Sequence, residues 1–420
     1  MRVNRLRVRN YRGFEELDLE LDPKVTVLVG VNGAGKTSIL DAIAGLLAHF
    51  LREISQFRLR PVLTASDVRV GAPRAEIAIE GSFGSKSASW GLTVTKLDLE
   101  QPPEPAFDEA VWTLVDEARE SLLSDRPNLP LAVYFPTHRV ARDIDEHIQR
   151  PNAVNPLISY QSALAPGETS FREFFEWFRL EEDLLNEEQA RRLTGAEGTT
   201  DNTEVTSHLP LVREAIERLF PGGKSLRIER RRQRMTISIR GMTIDVASLS
   251  EGEKCLIAMT GDLARRMVLA APTAANPLEH PAVVLIDEIE LHLHPGLQRT
   301  ILPRLLEVFP KTQFIVSTHS PQVLSSVHAK SVRLLRDFKL QPVERSTWHR
   351  DTNMILEGVF DDPGRPEDVA RKLNELRDAV DKDDFDRARA LIAELRSQIE
   401  GEDPDVEFLA DLVPPEEDAG

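Results

Sequence analysis

Cysteine is almost absent from this chain of 420 residues, which contains only Cys255. A single thiol cannot form a disulfide within the chain, so a scaffold held together by disulfides is excluded and a reducing compartment is expected. Long apolar runs are also missing. None approaches the roughly 20 residues that span a bilayer, and residues 1–7 lack the apolar core of a signal peptide. The sequence therefore predicts a cytoplasmic protein without a membrane partner.

Basic residues are fewer than acidic ones. The chain has 52 lysines and arginines against 69 aspartates and glutamates, so its formal net charge is -17. A chain of this charge does not cover its whole surface with nucleic acid, although a local basic groove stays open. Two sets of arginines are candidates for such a groove, one on a strand near the start and one on a predicted strand at 226–239. They are Arg5, Arg7 and Arg9, and Arg230, Arg232 and Arg234. Each set is either an exposed strand surface or part of a groove that follows DNA phosphates.

A glycine-rich loop at residues 30–37 fits the phosphate-binding pattern G-x-x-x-x-G-K-[ST]. A short apolar run at 25–29 predicts a buried strand before it, and apolar residues at helical spacing follow from Ser38. Backbone N–H groups and a helix N-terminus then face the phosphates, Lys36 reaches the β- and γ-phosphates, and Thr37 binds Mg²⁺. A chance match is disfavoured, because a predicted strand comes directly before the loop and a predicted helix directly after it. The candidate nucleotide ligands here are Gly30, Asn32, Gly33, Ala34, Gly35, Lys36, Thr37 and Ser38.

Two further predicted strands end in polar residues that suit the same chemistry. The apolar run 281–286 is followed by Asp287 and Glu288, the Walker B pattern, in which the first carboxylate holds Mg²⁺ and the second polarises the attacking water. Strand 313–318 is followed by His319, which can hydrogen-bond the γ-phosphate and sense its presence. The alternatives are a solvated acidic turn and a structural histidine. Their positions downstream of the glycine-rich loop favour the catalytic interpretation for Glu288 and His319.

Ser250, Gly252 and Glu253 lie at the start of a long predicted helix. A serine hydroxyl and free backbone N–H groups at a helix N-terminus form a second phosphate site. One chain holds one γ-phosphate at its glycine-rich loop, so this second site needs a nucleotide from another chain, which a two-fold dimer supplies. The alternative is a plain helix cap, because Ser250 and Glu253 fit a capping box. Both interpretations can hold together, since the cap geometry presents the amides.

The order of these four motifs resembles ABC-type ATPases. The opening residues 6–14 resemble the SMC, RecF and OLD branch rather than transporters, and residues 287–295 and 317–324 look like OLD-like and virulence-associated ATP-binding proteins. That subgroup includes the ATPase subunit of Septu-type anti-phage systems. The resemblance implies an α/β P-loop head with a mixed sheet, ATP and Mg²⁺ as ligands, and a homodimer or higher oligomer. It also suggests a place for Arg12 near the nucleotide.

The predicted domains are an ATPase head at 1–345 with a helical insertion at about 140–222, a C-terminal helical region at 346–400, and an acidic, flexible tail at 401–420. No nuclease motif is visible, and the residues after Leu340 are too few for the metal-dependent domain of OLD nucleases. The Septu resemblance therefore implies an ATPase that controls a separate nuclease of the HNH type in anti-phage defence. The alternative is a RecF- or SMC-like ATPase that binds DNA in repair or chromosome maintenance. Gln56 and Gln161 are the candidates for the glutamine loop of such ATPases.

Overall fold

The computed structural model describes residues 1–55, 63–96, 105–137, 155–164, 171–194, 207–343, 347–350, 352–360, 362 and 364–414. The chain divides into two compact units, Met1–His349 and Arg350–Gly420. The boundary between the two units therefore lies a few residues beyond residue 345, where the sequence predicts it. Among the described residues, no helix is long and apolar enough to cross a membrane.

The first unit contains three sheets with helices around them. Its strands are β1 (Arg2–Tyr11), β2 (Phe14–Glu20), β3 (Val25–Val29), β4 (Arg74–Phe83), β5 (Lys86–Thr95), β6 (Pro105–Phe107), β7 (Leu131–Phe135), β8 (Gly223–Glu229), β9 (Arg234–Ile239), β10 (Met242–Asp245), β11 (Ala282–Ile286), β12 (Gln313–Thr318), β13 (Val332–Arg336) and β14 (Lys339–Gln341). Its helices are α1 (Lys36–Ser55), α2 (Glu109–Leu122), α3 (Phe171–Thr194), α4 (Leu209–Leu219), α5 (Glu251–Ala270), α6 (Pro295–Val308) and α7 (Pro321–Leu324).

The central sheet has the strand order β14-β13-β3-β12-β11-β7, and it is parallel except for β14. Strands β3, β7, β11 and β12 are buried along their whole length, which explains their near-continuous apolar sequences. Parallel strands end at the same edge of a sheet. The loops after β3, β11 and β12, which are neighbours, therefore meet there. The first unit thus has an α/β fold with a mixed sheet, as the sequence predicts.

A second, antiparallel sheet has the order β2-β1-β4-β5-β6. Strands β1 and β2 form a hairpin around Gly13, in which Leu6 lies opposite Leu19. Trp90 on β5 donates its indole N–H to the Leu46 carbonyl of α1 at 2.8 Å. This bond fixes the second sheet to the helix that follows the glycine-rich loop.

The prediction of one basic strand at 226–239 is wrong. The chain turns at residues 230–233 and runs back, so β8 and β9 form an antiparallel pair. Four consecutive polar residues offer nothing to bury on a sheet face, which favours a turn there. The arginines instead form ion pairs: Arg230 with Asp183, Arg232 with Glu229 at 3.8 Å, and Arg234 with Asp245 at 3.2 Å. They do not share one strand face.

Helices α3 and α4 belong to the predicted helical insertion, and α3 packs against α5. Gly261 of α5 allows this close approach, since a Cβ there would lie 2.4 Å from the Phe174 ring of α3. Beside this contact, Asp262 pairs with Arg265 and Arg266 at 2.7 Å, and all three side chains are buried. Glu173 of α3 joins them at 3.2 Å from Arg265. A buried charge network thus connects the insertion to the helix that begins after Ser250.

The second unit contains α8 (Thr352–Ile355), α9 (Glu367–Asp381), α10 (Phe385–Gln398) and α11 (Pro404–Asp411). Helices α9 and α10 lie in the C-terminal region at 346–400 that the sequence predicts to be helical. The prediction of a flexible tail from residue 401 is wrong for α11, whose Val406 and Leu409 are buried in the core that α9 and α10 form. Asp403 caps α11 and pairs with Arg365 at 2.6 Å. Residues 415–420 lie outside the described residues.

Candidate nucleotide site

The glycine-rich loop joins β3 at the centre of the main sheet to the first turn of α1. Gly35 has a φ of 100°, and a Cβ there would lie 2.5 Å from the Phe14 ring. Both observations require glycine at this position. Phe338, in the turn between β13 and β14, packs edge-to-face on Phe14 with ring centroids 5.3 Å apart. This turn therefore packs against the loop at Gly35, whereas Asn32 and Gly33 are open to solvent.

Lys36 is the first residue of α1 and is buried. Its Nζ donates to the carbonyls of Gly30 and Val31 at 2.8 and 3.1 Å, so the side chain lies across the loop. Burial lowers the pKa of Lys36, and the nearby carboxylates of Asp287, Glu288 and Glu290 oppose that shift. The structure thus places the lysine ammonium between the loop and the acidic end of β11.

Asp287 is 1% exposed and lies between two hydroxyl groups. Thr37 donates to one carboxylate oxygen at 2.8 Å, and Ser317 donates to the other at 2.5 Å. A carboxylate beside a threonine hydroxyl is an all-oxygen donor set, the kind that Mg²⁺ prefers when phosphates supply further ligands. The residues predicted for the metal, Thr37 and Asp287, are therefore brought together and fit the ion.

Glu288 follows directly, with a φ of 47° and a partly exposed side chain. Its backbone N–H donates to the Ser317 hydroxyl at 2.8 Å, and the Ile289 N–H donates to the Ser317 carbonyl at 3.1 Å. The chain thus bends away from β11 at Glu288. This bend orients the second carboxylate differently from the buried Asp287.

His319 follows β12 and is half-buried. Burial lowers the pKa of its imidazole, the positive charge of Lys36 lowers it further, and Asp287 acts in the opposite direction. The ring therefore experiences the charges of the same site. Glu290, which the sequence analysis did not select, accepts hydrogen bonds from the Thr318 hydroxyl at 2.7 Å and from the His319 N–H at 2.5 Å.

Arg12, at the turn between β1 and β2, reaches the first turns of α1. It donates to Asp41 at 2.6 Å, to Asp67 at 2.8 Å and to the Ser38 hydroxyl at 3.4 Å. Asp41 also accepts from the Tyr134 hydroxyl at 3.0 Å, and burial raises the pKa of Asp41 despite these partners. Arg12 therefore lies beside the residue after Thr37, held by two carboxylates.

Ser250 caps α5. Its hydroxyl accepts from the Glu253 N–H at 3.4 Å, and its own N–H donates to the Glu253 carboxylate at 3.0 Å, so the predicted capping box is present. Gly252 lies against the segment after Glu288, since a Cβ there would be 2.1 Å from the His292 carbonyl oxygen. Among the described residues, no hydrogen bond joins Ser250 or Glu253 to the glycine-rich loop.

Four residues that hold the site together were not predicted from the sequence: Ser317, Glu290, Asp41 and Tyr134. Ser317 and Glu290 lie within three residues of predicted positions, and their polarity next to buried strands was the available signal. Neither glutamine candidate is placed in the site. Gln56 lies outside the described residues, and Gln161 is exposed in a turn where its backbone carbonyl accepts from Arg266 at 2.7 Å.

A family model described as "AAA domain, putative AbiEii toxin, Type IV TA system" matches residues 25–325 of this chain. The chain belongs to this AAA-domain family. The match begins at β3 and ends just after α7, so it includes the glycine-rich loop, the start of α5, Asp287, Glu288 and His319.

Proteins that are similar along most of this AAA-domain chain include one named as a probable ATPase and one named as a nuclease. "Retron Ec83 probable ATPase" of Escherichia coli is 29% identical over 98% of this chain and 86% of its own length. "OLD nuclease" of Thermus scotoductus is 26% identical over 97% of this chain and 76% of its own length. "Septu protein PtuA" of Bacillus mycoides is 22% identical over 79% of this chain but only 40% of its own length. The predicted relationship to OLD-type and Septu-type proteins is therefore confirmed.

Proposed function

We propose that this chain binds ATP with Mg²⁺, hydrolyses it to ADP and phosphate, and uses this cycle to control a separate nuclease in defence against phage. One observation carries the ATPase part. The strand ends of β3, β11 and β12 bring Lys36, Asp287 and His319 to one edge of the sheet, with Thr37 hydrogen-bonded to Asp287.

Each residue then has a distinct role at the triphosphate. The N–H groups of the loop and the ammonium of Lys36 bind the β- and γ-phosphates. Thr37 and Asp287 hold Mg²⁺, which neutralises charge on the phosphate oxygens when bound. Glu288, partly exposed and turned away from β11, orients a water molecule and accepts its proton. His319 hydrogen-bonds the γ-phosphate, and its lowered pKa favours the neutral imidazole.

The dimer part of the proposal depends on the start of α5. Ser250 and Gly252 present a capped helix N-terminus, and no described hydrogen bond connects Ser250 to the loop of its own chain. A second chain in a two-fold arrangement can offer this terminus to the γ-phosphate held by Lys36. The control of a nuclease is supported by the retron, Septu and OLD names of the relatives.

The catalytic assignment is tested with Glu288→Gln. Loss of a general base lowers kcat by about 10²–10⁴, while phosphate and Mg²⁺ ligands remain, so ATP binding and an ATP-dependent dimer should persist. Steady-state phosphate release and size-exclusion chromatography with ATP measure the two effects. Glu307→Gln, an exposed glutamate on α6, is the matched control and should keep the parent rate. Hydrolysis at the parent rate by Glu288→Gln would refute the assignment.

The partner assignment is tested separately. A chain with Lys36→Ala should fail to regulate an HNH-type nuclease encoded beside it, in a nuclease assay with the purified pair. DNA-stimulated ATPase activity of the chain alone would instead favour the RecF- or SMC-like alternative. That alternative has weaker support from the arginines of β1, because Arg5 and Arg7 are paired with Asp18 and Glu80.

A further inference from the structure

Glu290 lies two residues beyond Glu288 in the segment between β11 and α6, here named the bend segment (288–293). Its side chain is largely buried, and burial raises its pKa. Burying a carboxylate costs free energy unless hydrogen bonds compensate. The donors to the Glu290 carboxylate therefore show which part of the site stabilises it. Among the described residues, two other residues donate to this carboxylate, Thr318 and His319, which are consecutive at the end of β12, and the Glu290 backbone N–H donates to it as well.

These two bonds, together with a third from Ser320, fix the chain on both sides of the His319 Cα. The His319 N–H donates to one oxygen of Glu290 at 2.5 Å, and the Thr318 hydroxyl donates to the other at 2.7 Å. The same Thr318 hydroxyl accepts from the Ser320 N–H at 3.0 Å. The carboxylate thus orients the peptide units from Thr318 to Ser320, and with them the direction in which the imidazole leaves the backbone.

The bend segment is itself held at both ends. Two backbone bonds of 2.9 Å form successive turns inside it, from the Leu291 N–H to the Glu288 carbonyl and from the Leu293 N–H to the Glu290 carbonyl. Further along, the His292 carbonyl lies against Gly252 at the start of α5. A carboxylate mounted on such a segment is a fixed acceptor rather than a mobile one.

We propose that Glu290 is a positioning residue that sets the orientation of His319 toward the γ-phosphate, and that it contributes to the rate of hydrolysis rather than to ATP affinity. This inference depends on the ATPase function proposed above. Glu290 does not itself bind the nucleotide, because both carboxylate oxygens are directed at the strand end.

The test is a double-mutant cycle with Glu290→Gln and His319→Ala. The glutamine keeps the size of the side chain and one acceptor oxygen. Its NH₂ group, however, faces either the Thr318 hydroxyl or the His319 N–H, and the NH₂ group cannot accept a hydrogen bond from them. We expect kcat to fall by about 10- to 100-fold, the usual scale for a misplaced group, with KM for ATP changed less than about twofold. In the His319→Ala background, Glu290→Gln should cause no further loss, because it acts through the imidazole.

Thr318 supplies a matched pair of controls. Thr318→Ser keeps the hydroxyl and should lower kcat much less than Thr318→Val, which removes one of the two bonds and should lower kcat in the same direction as Glu290→Gln. Thermal melting of every variant confirms that the fold is retained. Losses that multiply in the double variant, a KM that rises in step with the fall in kcat, or an unchanged kcat in Glu290→Gln would each overturn the proposal.

The parent chain and Glu288→Gln are measured in the same series, so failure of the ATPase proposal is recognised separately. If the parent does not hydrolyse ATP, the imidazole ¹H resonance of His319, assigned with His319→Ala, provides the readout. Glu290→Gln must then displace that resonance and abolish its response to an ATP analogue. An undisplaced resonance would overturn the positioning role whatever the activity of the chain.

Discussion

Ser317 joins the two acidic residues of the site through one hydroxyl group. It donates to the carboxylate of Asp287 at 2.5 Å and accepts the N–H of Glu288 at 2.8 Å. The first bond keeps one oxygen of Asp287 occupied and directs the other at Thr37. The second holds Glu288 in its positive-φ conformation. A single side chain of β12 therefore orients both residues that end β11.

Ser317→Ala should reduce the affinity for Mg²⁺ by about 10- to 100-fold, the usual effect of removing a hydrogen-bond partner from a metal ligand. The physical reason is that Asp287 then rotates and loses its alignment with Thr37. Titration of ATPase activity with Mg²⁺ measures the change. The control is Ser326→Ala, whose hydroxyl donates to the Val323 carbonyl of its own turn at 2.7 Å. An unshifted Mg²⁺ midpoint in Ser317→Ala would show that Asp287 is held by other contacts.

At the scale of elements, helix α5 connects Ser250 to the helical insertion. Its first turn carries the Ser250 cap and the Gly252 contact, and its middle carries Gly261, Asp262, Arg265 and Arg266. The close approach at Gly261 and the ion pairs to Glu173 make α3 and α5 one packed pair. The insertion and the helix that begins at Ser250 are therefore packed together.

Asp262→Ala should lower the free energy of unfolding by about 3–5 kcal/mol, because it leaves the buried guanidinium groups of Arg265 and Arg266 without their main partner. Urea denaturation followed by circular dichroism measures this loss. Glu307→Ala removes an exposed pair with Arg218 and should cost about 0–1 kcal/mol. If the two variants lose equal stability, the buried network contributes no more than a surface ion pair.

Local sequence patterns are sufficient to predict some elements and not others. Apolar residues three and four apart predict α3, and Phe174 and Phe178 are indeed buried against neighbouring elements. The turn at 230–233 was not predicted, because arginines at every second position suggested one continuous strand. Helix α11 was missed because acidic residues and prolines obscure Val406 and Leu409, the two apolar residues that α9 and α10 bury.

At the scale of the whole molecule, burial acts on two histidines away from the site. His49 in α1 is 4% exposed, and His280 is 8% exposed with its ring bonded to the Leu129 carbonyl at 2.7 Å. Burial lowers the pKa of each to about 4, with Arg52 adding to the effect at His49. Both are therefore neutral in the folded protein under conditions where an unfolded chain already binds protons.

Acid should therefore destabilise the first unit through these two residues. Their stabilising contribution is complete above the unfolded pKa of 6.5 and is lost as the pH falls from 6.5 toward 4. The loss approaches roughly 3 kcal/mol for each histidine. Thermal melting between pH 7.5 and pH 4.5 measures it. His49→Leu should flatten this dependence, whereas His292→Asn, at an exposed histidine, should leave it unchanged. An equally steep dependence in His49→Leu would refute the assignment.

The sequence alone determined the strand, loop and helix around Lys36, the acidic end of β11, the capping box of Ser250 and the helical character of the region that contains α9 and α10. Each is encoded by residues close together in the chain, through apolar spacing, glycine placement and cap chemistry. Only the tertiary structure decided which strand ends meet. Thr37 and Asp287 are 250 residues apart, and the bonds of Arg12 to Asp41 and of Glu290 to Thr318 span 29 and 28 residues. Local patterns carry no information about such pairs, because the order of parallel strands and the packing between elements create them.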